Sequence, residues 1–382
     1  MKIGVNSLFL KPQQVGGAEF VLKGLLIGLV QIPNVELYVF INQNLQQWLK
    51  ALNLGESVKI IPVKIQINRF ISEAFQLPYI ANKFHLDGLI NTNYFTPWRF
   101  LLNSNCVTII HDLNYLHFSS LFSWQKKLWL YLMHQFTLIN VNNVITVSNF
   151  VKQDIKLSYH IKYNKNNIKA IYNPILWERL DYNESDKQLI NHNFILAVAN
   201  HYQHKNLATL VRAFAKIPQE KSNNLHQLKL VLVGQLPESL MGMRRDRCDD
   251  IRQLVKELNL EDRVYITGYI SDRELAWYYH HAQLFAFPSL FEGFGMPPVE
   301  AMGMGLPVLT TQCTAIPEVT MNLAQYVQNP MDIDEWCDRL TEMLTNRDRY
   351  VPSSNTVQLI RQTYDPVAIA KQYVALFQDN CN

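Results

Sequence analysis

Leu284-Phe285-Ala286-Phe287-Pro288-Ser289-Leu290-Phe291-Glu292-Gly293-Phe294-Gly295-Met296-Pro297-Pro298-Val299-Glu300-Ala301-Met302-Gly303-Met304-Gly305-Leu306-Pro307-Val308-Leu309-Thr310 carries more information than any other stretch of this chain. Leu284–Phe287 is wholly apolar and reads as a strand buried on both faces. A glycine-containing loop follows. A helix over Pro298–Met304 comes next, with Pro297 or Pro298 at its first positions, where proline is tolerated. Leu306–Thr310 reads as the next strand. Strand, helix and strand in this order form the repeating unit of a parallel sheet covered by helices.

The same alternation extends in both directions. Upstream in this half, Phe194–Ala199, Leu228–Val233 and Val264–Thr267 read as strands, and Leu207–Lys216, Asp249–Leu258 and Glu274–His281 as helices. Nearer the N-terminus, Lys2–Phe9, Val35–Ile41, Val58–Ile61, Gly88–Asn91, Cys106–His111 and Asn143–Val147 are short apolar runs of strand type. Ala18–Leu29 and Gln46–Ala51 have helical spacing. Between the two series lies Asp181–Asn193, rich in Asn, Asp, Glu and Lys, which reads as a linker. The fold class is therefore α/β, with two Rossmann-like doubly wound domains. The first spans 1–180 and the second 181–365, with a C-terminal helix at about 366–382 that can pack back on the first. Ligands of such sheets bind beyond the C-terminal strand ends, which makes a cleft between facing domains the default site.

Composition narrows the function. The 382 residues are too many for one ordinary core, and 48% hydrophobic with 18% charged residues describes a globular chain. A net charge of +3 is too small for a nucleic-acid partner. Arg244, Arg245 and Arg247 alternate with Asp246, Asp249 and Asp250 and read as a solvated face. Cys106, Cys248, Cys313, Cys337 and Cys381 form no metal or redox spacing and read as free thiols. With no signal-peptide layout and no apolar run of membrane-spanning length, the expected location is cytoplasmic.

The chemistry concentrates in the opening stretch. Backbone N–H groups at a helix start attract anions, and Gly293 and Gly295 allow close approach of a ligand. Glu292 precedes the helix and Glu300 is expected within its first turn, so one ligand could meet both. A phosphate joined to a sugar suits that pattern, amides taking the charge and carboxylates the hydroxyls. A glutamate at a helix start also complements the helix dipole, and a Gly-Pro loop also simply turns the chain. The residues alone leave both readings open.

This run resembles the signature of the family 4 glycosyltransferases, in which two glutamates with seven residues between them frame the donor site. Val264-Tyr265-Ile266-Thr267-Gly268-Tyr269-Ile270-Ser271, Glu274-Leu275, Gly305-Leu306-Pro307-Val308 and Ala199-Asn200-His201-Tyr202-Gln203-His204-Lys205-Asn206-Leu207 share the resemblance. It implies that Glu292 meets donor-sugar hydroxyls, Glu300 the ribose, and Lys205 the diphosphate. It also implies that Gly293, Phe294, Gly295 and Met296 line the sugar and phosphate. Asn200, Asn206, Gly234 and Tyr269 complete the donor set on this side. One departure stands out: where many relatives place an arginine near the lysine, this chain has Ala199, Asn200 and His204. A protonated His204 is one candidate for the second cation.

In the first domain Val15-Gly16-Gly17-Ala18-Glu19 connects the first strand and helix. It is no GxGxxG fingerprint, which argues against a dinucleotide, and the resemblance gives Gly16 and Gly17 a place facing the donor. Thr108-Ile109-Ile110-His111-Asp112-Leu113 sets His111 at a strand end, where the resemblance implies a hydrogen bond to the donor sugar. His117 is a weaker candidate. Leu121–Ile139, with Trp124, Trp129, Tyr131 and Phe136 around Lys126-Lys127, could lie on a membrane, but apolar residues on nearly every face favour a buried helix.

The implied reaction is retaining, metal-independent transfer of a mannosyl or glucosyl group from a nucleoside diphosphate sugar to a hydroxyl acceptor, itself a carbohydrate or lipid-linked carbohydrate. The nucleotide sugar is a co-substrate and no cofactor is expected. The alternatives are a sugar-nucleotide 2-epimerase and a nucleotide-sugar-binding protein without catalysis.

Overall fold

The computed structural model describes residues 1–378 except 13–16, 56, 66–67, 99–100, 104, 119–121, 142, 160–167, 183–189, 191–192, 219–224, 226 and 237–249. Gly16, the Arg244–Arg247 run, Cys248, Cys381 and most of the linker at 181–193 lie outside the described residues. The chain divides into two compact units, one of residues 1–176 with 363–382 and one of residues 177–362.

The first unit is built on β1 (Lys2–Asn6), β2 (Glu36–Asn42), β3 (Val58–Val63), β4 (Gly88–Asn91), β5 (Asn105–Ile110), β6 (Asn143–Thr146) and β7 (Ile168–Ala170). They form one sheet in the order β3-β2-β1-β4-β5-β6-β7, all pairs parallel. Ile3, Val5, Val39, Ile90 and Ile109 are fully buried, as expected where helices cover both faces of a parallel sheet. The chain winds from β1 out to β3 and then returns to lay β4 on the other side of β1. The strand order therefore reverses between β1 and β4, whose last residues, Asn6 and Asn91, are register partners.

The helix Gly17–Val30 covers this sheet and buries Val21, Leu22, Leu25, Leu26 and Leu29. Its glycines allow close packing. A Cβ on Gly28 would stand 2.0 Å from the carbonyl oxygen of Pro366, and one on Gly24 would stand 2.9 Å from Pro174 Cγ. The C-terminal helix Pro366–Gln378 thus docks on the first helix, and the ring of Phe377 occupies the space a side chain at Gly88 would need.

The second unit repeats the plan with β8 (Phe194–Val198), β9 (Lys229–Val233), β10 (Val264–Gly268), β11 (Leu284–Phe287), β12 (Val308–Thr311) and β13 (Gln325–Val327) in the order β10-β9-β8-β11-β12-β13. All pairs are again parallel, and the order reverses between β8 and β11. Leu207, Leu210, Val211 and Phe214 of one helix pack with Trp336, Leu340 and Met343 of another over the sheet. The helix Asp272–His281 opens with a capping box: Ser271 Oγ accepts from the Glu274 N–H, and Glu274 Oε2 accepts from the Ser271 N–H at 2.8 Å.

One expectation changes. The helix Trp124–Asn140 buries Leu130, His134, Thr137 and Leu138, yet Trp124, Leu128, Leu132 and Ile139 on its other side are exposed. Apolar residues on every face do not make it a fully buried helix. One apolar side of it faces outward.

Candidate functional site

The second unit assembles its site where its strand order reverses, from the loops that follow β8 and β11. After β8, the Ala199 N–H donates to the Val233 carbonyl at 2.8 Å and Asn200 Oδ1 accepts from the Gln235 N–H at 2.9 Å. These bonds tie the loop to the end of β9. Gly234 is required there, because a Cβ would lie 2.0 Å from the Ala199 oxygen. The chain then makes a 3-10 turn over Gln203–Lys205 and enters the helix Leu207–Lys216 through Asn206, which has a left-handed φ of 55°. The Asn206 amide donates to Pro330 O at 2.9 Å, and its oxygen accepts from Thr209 Oγ1 at 2.7 Å. These two bonds make its side chain an anchor of the loop.

The loop after β11 is fastened to the first loop and to the end of β12. The Leu290 N–H donates to the His204 carbonyl at 2.8 Å, Thr311 Oγ1 donates to Ser289 O at 2.7 Å, and the Glu292 N–H donates to Thr314 Oγ1 at 2.9 Å. This zipping brings Lys205 Nζ within 2.6 Å of Glu292 Oε1, with the two side chains only 17% and 12% exposed. An ammonium has three N–H donors and a carboxylate about four acceptor positions. One contact between them leaves both groups able to engage a ligand, the lysine its anionic part and the glutamate its hydroxyls.

The helix that follows runs Met296–Gly303, with Gly295 as its N-cap at a φ of 93°. Pro297 and Pro298 supply no N–H, so the donors of this helix start narrow to Gly295 and Met296 beside the loop amides of Gly293 and Phe294. Glu300 falls in the second turn rather than the first. It is 2% exposed and paired with Arg179, while Tyr279 Oη donates to its other oxygen at 3.0 Å. Arg179 also reaches Asp272 at 3.0 Å. Glu300 is thus held by a buried arginine that sequence reading did not single out. Tyr269 is 60% exposed beyond β10.

His204 does not replace the absent arginine. It is 7% exposed, and burial, with the neighbouring Lys205 charge, drives its pKa down to about 3. The ring is neutral at physiological pH. Lys205 is the cation of this loop.

In the first unit, Gly17 opens the first helix and is exposed. His111 follows β5 directly, and its Nε2 lies 3.0 Å from the carbonyl oxygen of Thr92. Burial lowers its pKa, against the raising influence of the Thr92 carbonyl and Asp112. A carbonyl only accepts, so the neutral ring carries its proton on Nε2 and leaves the Nδ1 lone pair as acceptor. His117 Nε2 bonds the Asp154 carboxylate at 2.8 Å, joining the helices Asn114–His117 and Asn149–Ser158. Ser148 caps the helix Asn149–Ser158 by accepting from the Val151 N–H, a local architectural role.

A family model described as "Glycosyl transferases group 1" matches residues 182–357, and one described as "Glycosyltransferase Family 4" matches residues 15–178. The O-antigen chain mannosyltransferase RfbU of Salmonella typhimurium is 29% identical over 259 residues, 66% of this chain and 65% of that protein. The O-antigen chain mannosyltransferase B of Escherichia coli is 32% identical over 147 residues, 38% of this chain and 35% of that one. The chain therefore spans less than two thirds of the length of these relatives. Among solved structures, Anabaena HepE in complex with UDP-glucose superposes with a TM-score of 0.76 at 20% identity, covering 99% of this chain and 100% of that one.

Proposed function

Because this chain belongs to the family 4 glycosyltransferases, we propose that it transfers a hexosyl group, mannosyl or glucosyl, from a nucleoside diphosphate sugar to a hydroxyl of a glycan acceptor. The observation that carries this reading is the Lys205–Glu292 pair at the strand-order reversal of the second unit. There a sheltered cation and a carboxylate stand side by side, one suited to a diphosphate and the other to sugar hydroxyls. The relatives named as O-antigen mannosyltransferases incline the choice of sugar toward mannose.

In the proposed reaction the bond between the anomeric carbon and the diphosphate oxygen breaks while the acceptor oxygen bonds to that carbon on the same face. The acceptor proton passes to the departing phosphate oxygen, so no protein nucleophile is required and the anomeric configuration is retained. Lys205 stabilises the charge that develops on the leaving group, supplying the positive charge that a metal would otherwise bring. Glu292 orients the sugar, and His111 accepts a hydroxyl hydrogen bond at Nδ1. On donor binding Arg179 would release one Glu300 oxygen to the ribose.

Peripheral contact with a membrane is part of the same reading. Trp124, Leu128, Leu132 and Ile139 form an exposed apolar face on a helix that contains Lys126 and Lys127 and no acidic residue. That composition suits an anionic lipid surface. Replacing Trp124 and Leu128 by serine should abolish sedimentation with phosphatidylglycerol vesicles and leave transfer to a soluble acceptor unchanged. Undiminished sedimentation would remove this part.

The reaction itself is tested by incubating the protein with GDP-mannose and UDP-hexoses, with and without glycan acceptors. Nucleoside diphosphate should be released only with acceptor, and Lys205→Ala should slow release by about 10²-fold or more. Conversion of the donor sugar without any acceptor, or full activity of Lys205→Ala, would refute it.

A further inference from the structure

The C-terminal strand ends of the first unit hold a buried polar cluster that the proposed reaction leaves unused. Its centre is Glu73, 1% exposed, in a segment that runs as a helical turn over Arg69–Ile71, a π-helical turn over Ser72–Gln76 and a helix over Leu77–Asn82. A π turn inside a helix is uncommon and is often found at functional sites. Glu73 Oε1 accepts from Asn6 Nδ2 at 3.4 Å. Its Oε2 stands 3.3 Å from Arg69 Nε, yet neither of these two buried atoms has a hydrogen bond.

From Glu73 a chain of contacts leads to His111. Asn6 Nδ2 also donates to Asn91 Oδ1 at 3.1 Å, and Thr92 Oγ1 donates to the Asn6 carbonyl at 2.7 Å. The Thr92 carbonyl then accepts from His111 Nε2 at 3.0 Å. Asn6, Asn91 and Thr92 are all at most 3% exposed. These residues lie at the ends of β1 and β4, where the strand order reverses, and this chain is the connection from that point to the ring.

We propose that Glu73 is a positioning residue for glycosyl transfer, setting the His111 ring through Asn6 and Thr92. The inference rests on reading His111 as a group that meets the donor sugar. An ionised Glu73 is the stronger acceptor for the Asn6 amide, and so holds the two strand ends and the Thr92 carbonyl in place. Burial raises its pKa to about 7, against the opposing pull of Arg69 and Asn6. Tyr94, also pushed up by burial, is the other titratable group coupled to it. The hold on His111 therefore weakens as pH falls through neutrality. A carboxyl whose ionisation is disfavoured in the folded state also lowers stability once charged. Glu73→Gln should consequently melt higher than wild type at pH 8 while transferring sugar more slowly, whereas a residue with only a structural role would lose both.

The test is a double-mutant cycle with kcat and donor KM measured from pH 6 to 9 for wild type, Glu73→Gln, His111→Ala and the double variant. Glu73→Gln should lower kcat about tenfold or more at pH 8, with little change in donor KM, and should abolish a fall in wild-type kcat below about pH 7. In the His111→Ala background it should have no further effect. If both single variants are impaired and their effects multiply, Glu73 does not act through His111 and this inference alone falls. If His111→Ala matches wild type, the role of His111 falls as well. Should Glu73→Gln fail to fold, Thr92→Val, which removes the hydroxyl bond to Asn6, is expected to show the same lack of additivity with His111→Ala.

Discussion

Lys205 and Arg179 each sit in a 3-10 turn, and the structure gives them different tasks. Lys205 stands before a helix whose dipole disfavours it, so its charge needs an anion, and Glu292 supplies one across the gap between two strand-end loops. That need is legible in the sequence. The partnership of Arg179 with Glu300 is not, because nothing local to Trp177-Glu178-Arg179-Leu180 points to a carboxylate 121 residues away. His204 is not legible for a related reason: a sequence shows a titratable ring beside a lysine but not the burial that keeps it neutral. The Arg179 pair permits a stability test. The side chains are 10% and 3% exposed, so Arg179→Met leaves a buried carboxylate without its main partner and should destabilise the protein by about 3–5 kcal/mol. Chemical denaturation measures this. A change below about 1 kcal/mol would mean that Tyr279 alone satisfies Glu300.

Among the secondary elements, the sheets are the most legible. Short apolar runs such as Leu284–Phe287 have few solutions other than a strand buried on both faces. Edges were harder: β7 and β13 are only three residues each and partly polar, too short for a periodicity to declare itself. The segment over Arg69–Asn82 does not declare itself in the sequence, because its π turn breaks the 3.6-residue repeat on which helix recognition rests. With the helix Trp124–Asn140 the difficulty is different. Apolar residues all round are compatible with burial and with a half-buried helix that shows an apolar face, and periodicity cannot choose between them. Docking of the C-terminal helix depends on a site no larger than a hydrogen atom. Gly28→Ala puts a methyl group 2.0 Å from the Pro366 oxygen, forcing the helices apart at a cost of about 1–3 kcal/mol. Increased hydrogen exchange over 366–378 should accompany the loss. Unchanged exchange and stability would show that the packing accommodates the methyl group.

On the scale of the whole molecule, the two units should respond differently to acid. In residues 177–362, burial holds His201 at a pKa of about 4 and His204 at about 3, and it also lowers His280. Their unfolded forms bind protons from the ordinary value of 6.5 downward, so this unit loses stability as pH falls below about 6.5. In the other unit His134, at about 4, and His111 act in the same sense. Glu73 opposes them there, because its folded form binds protons more readily between the ordinary 4.5 and about 7. Acidification from pH 7.5 to 5 should therefore lower the melting of the 177–362 unit more than that of its companion. Calorimetry with hydrogen exchange resolves the two, and equal shifts would contradict the assignment of buried neutral histidines.

The central claim is that the Lys205–Glu292 pair receives an activated sugar, and binding tests it more directly than turnover. A ligand held only by the native state raises the melting transition. The measurement is the transition of wild type and of Lys205→Ala with each of GDP-mannose, UDP-glucose and their free diphosphates. At least one nucleotide sugar should raise the wild-type transition, and the shift should disappear in Lys205→Ala. A wild type indifferent to every nucleotide sugar, or a Lys205→Ala protein that shifts as much as wild type, would contradict it.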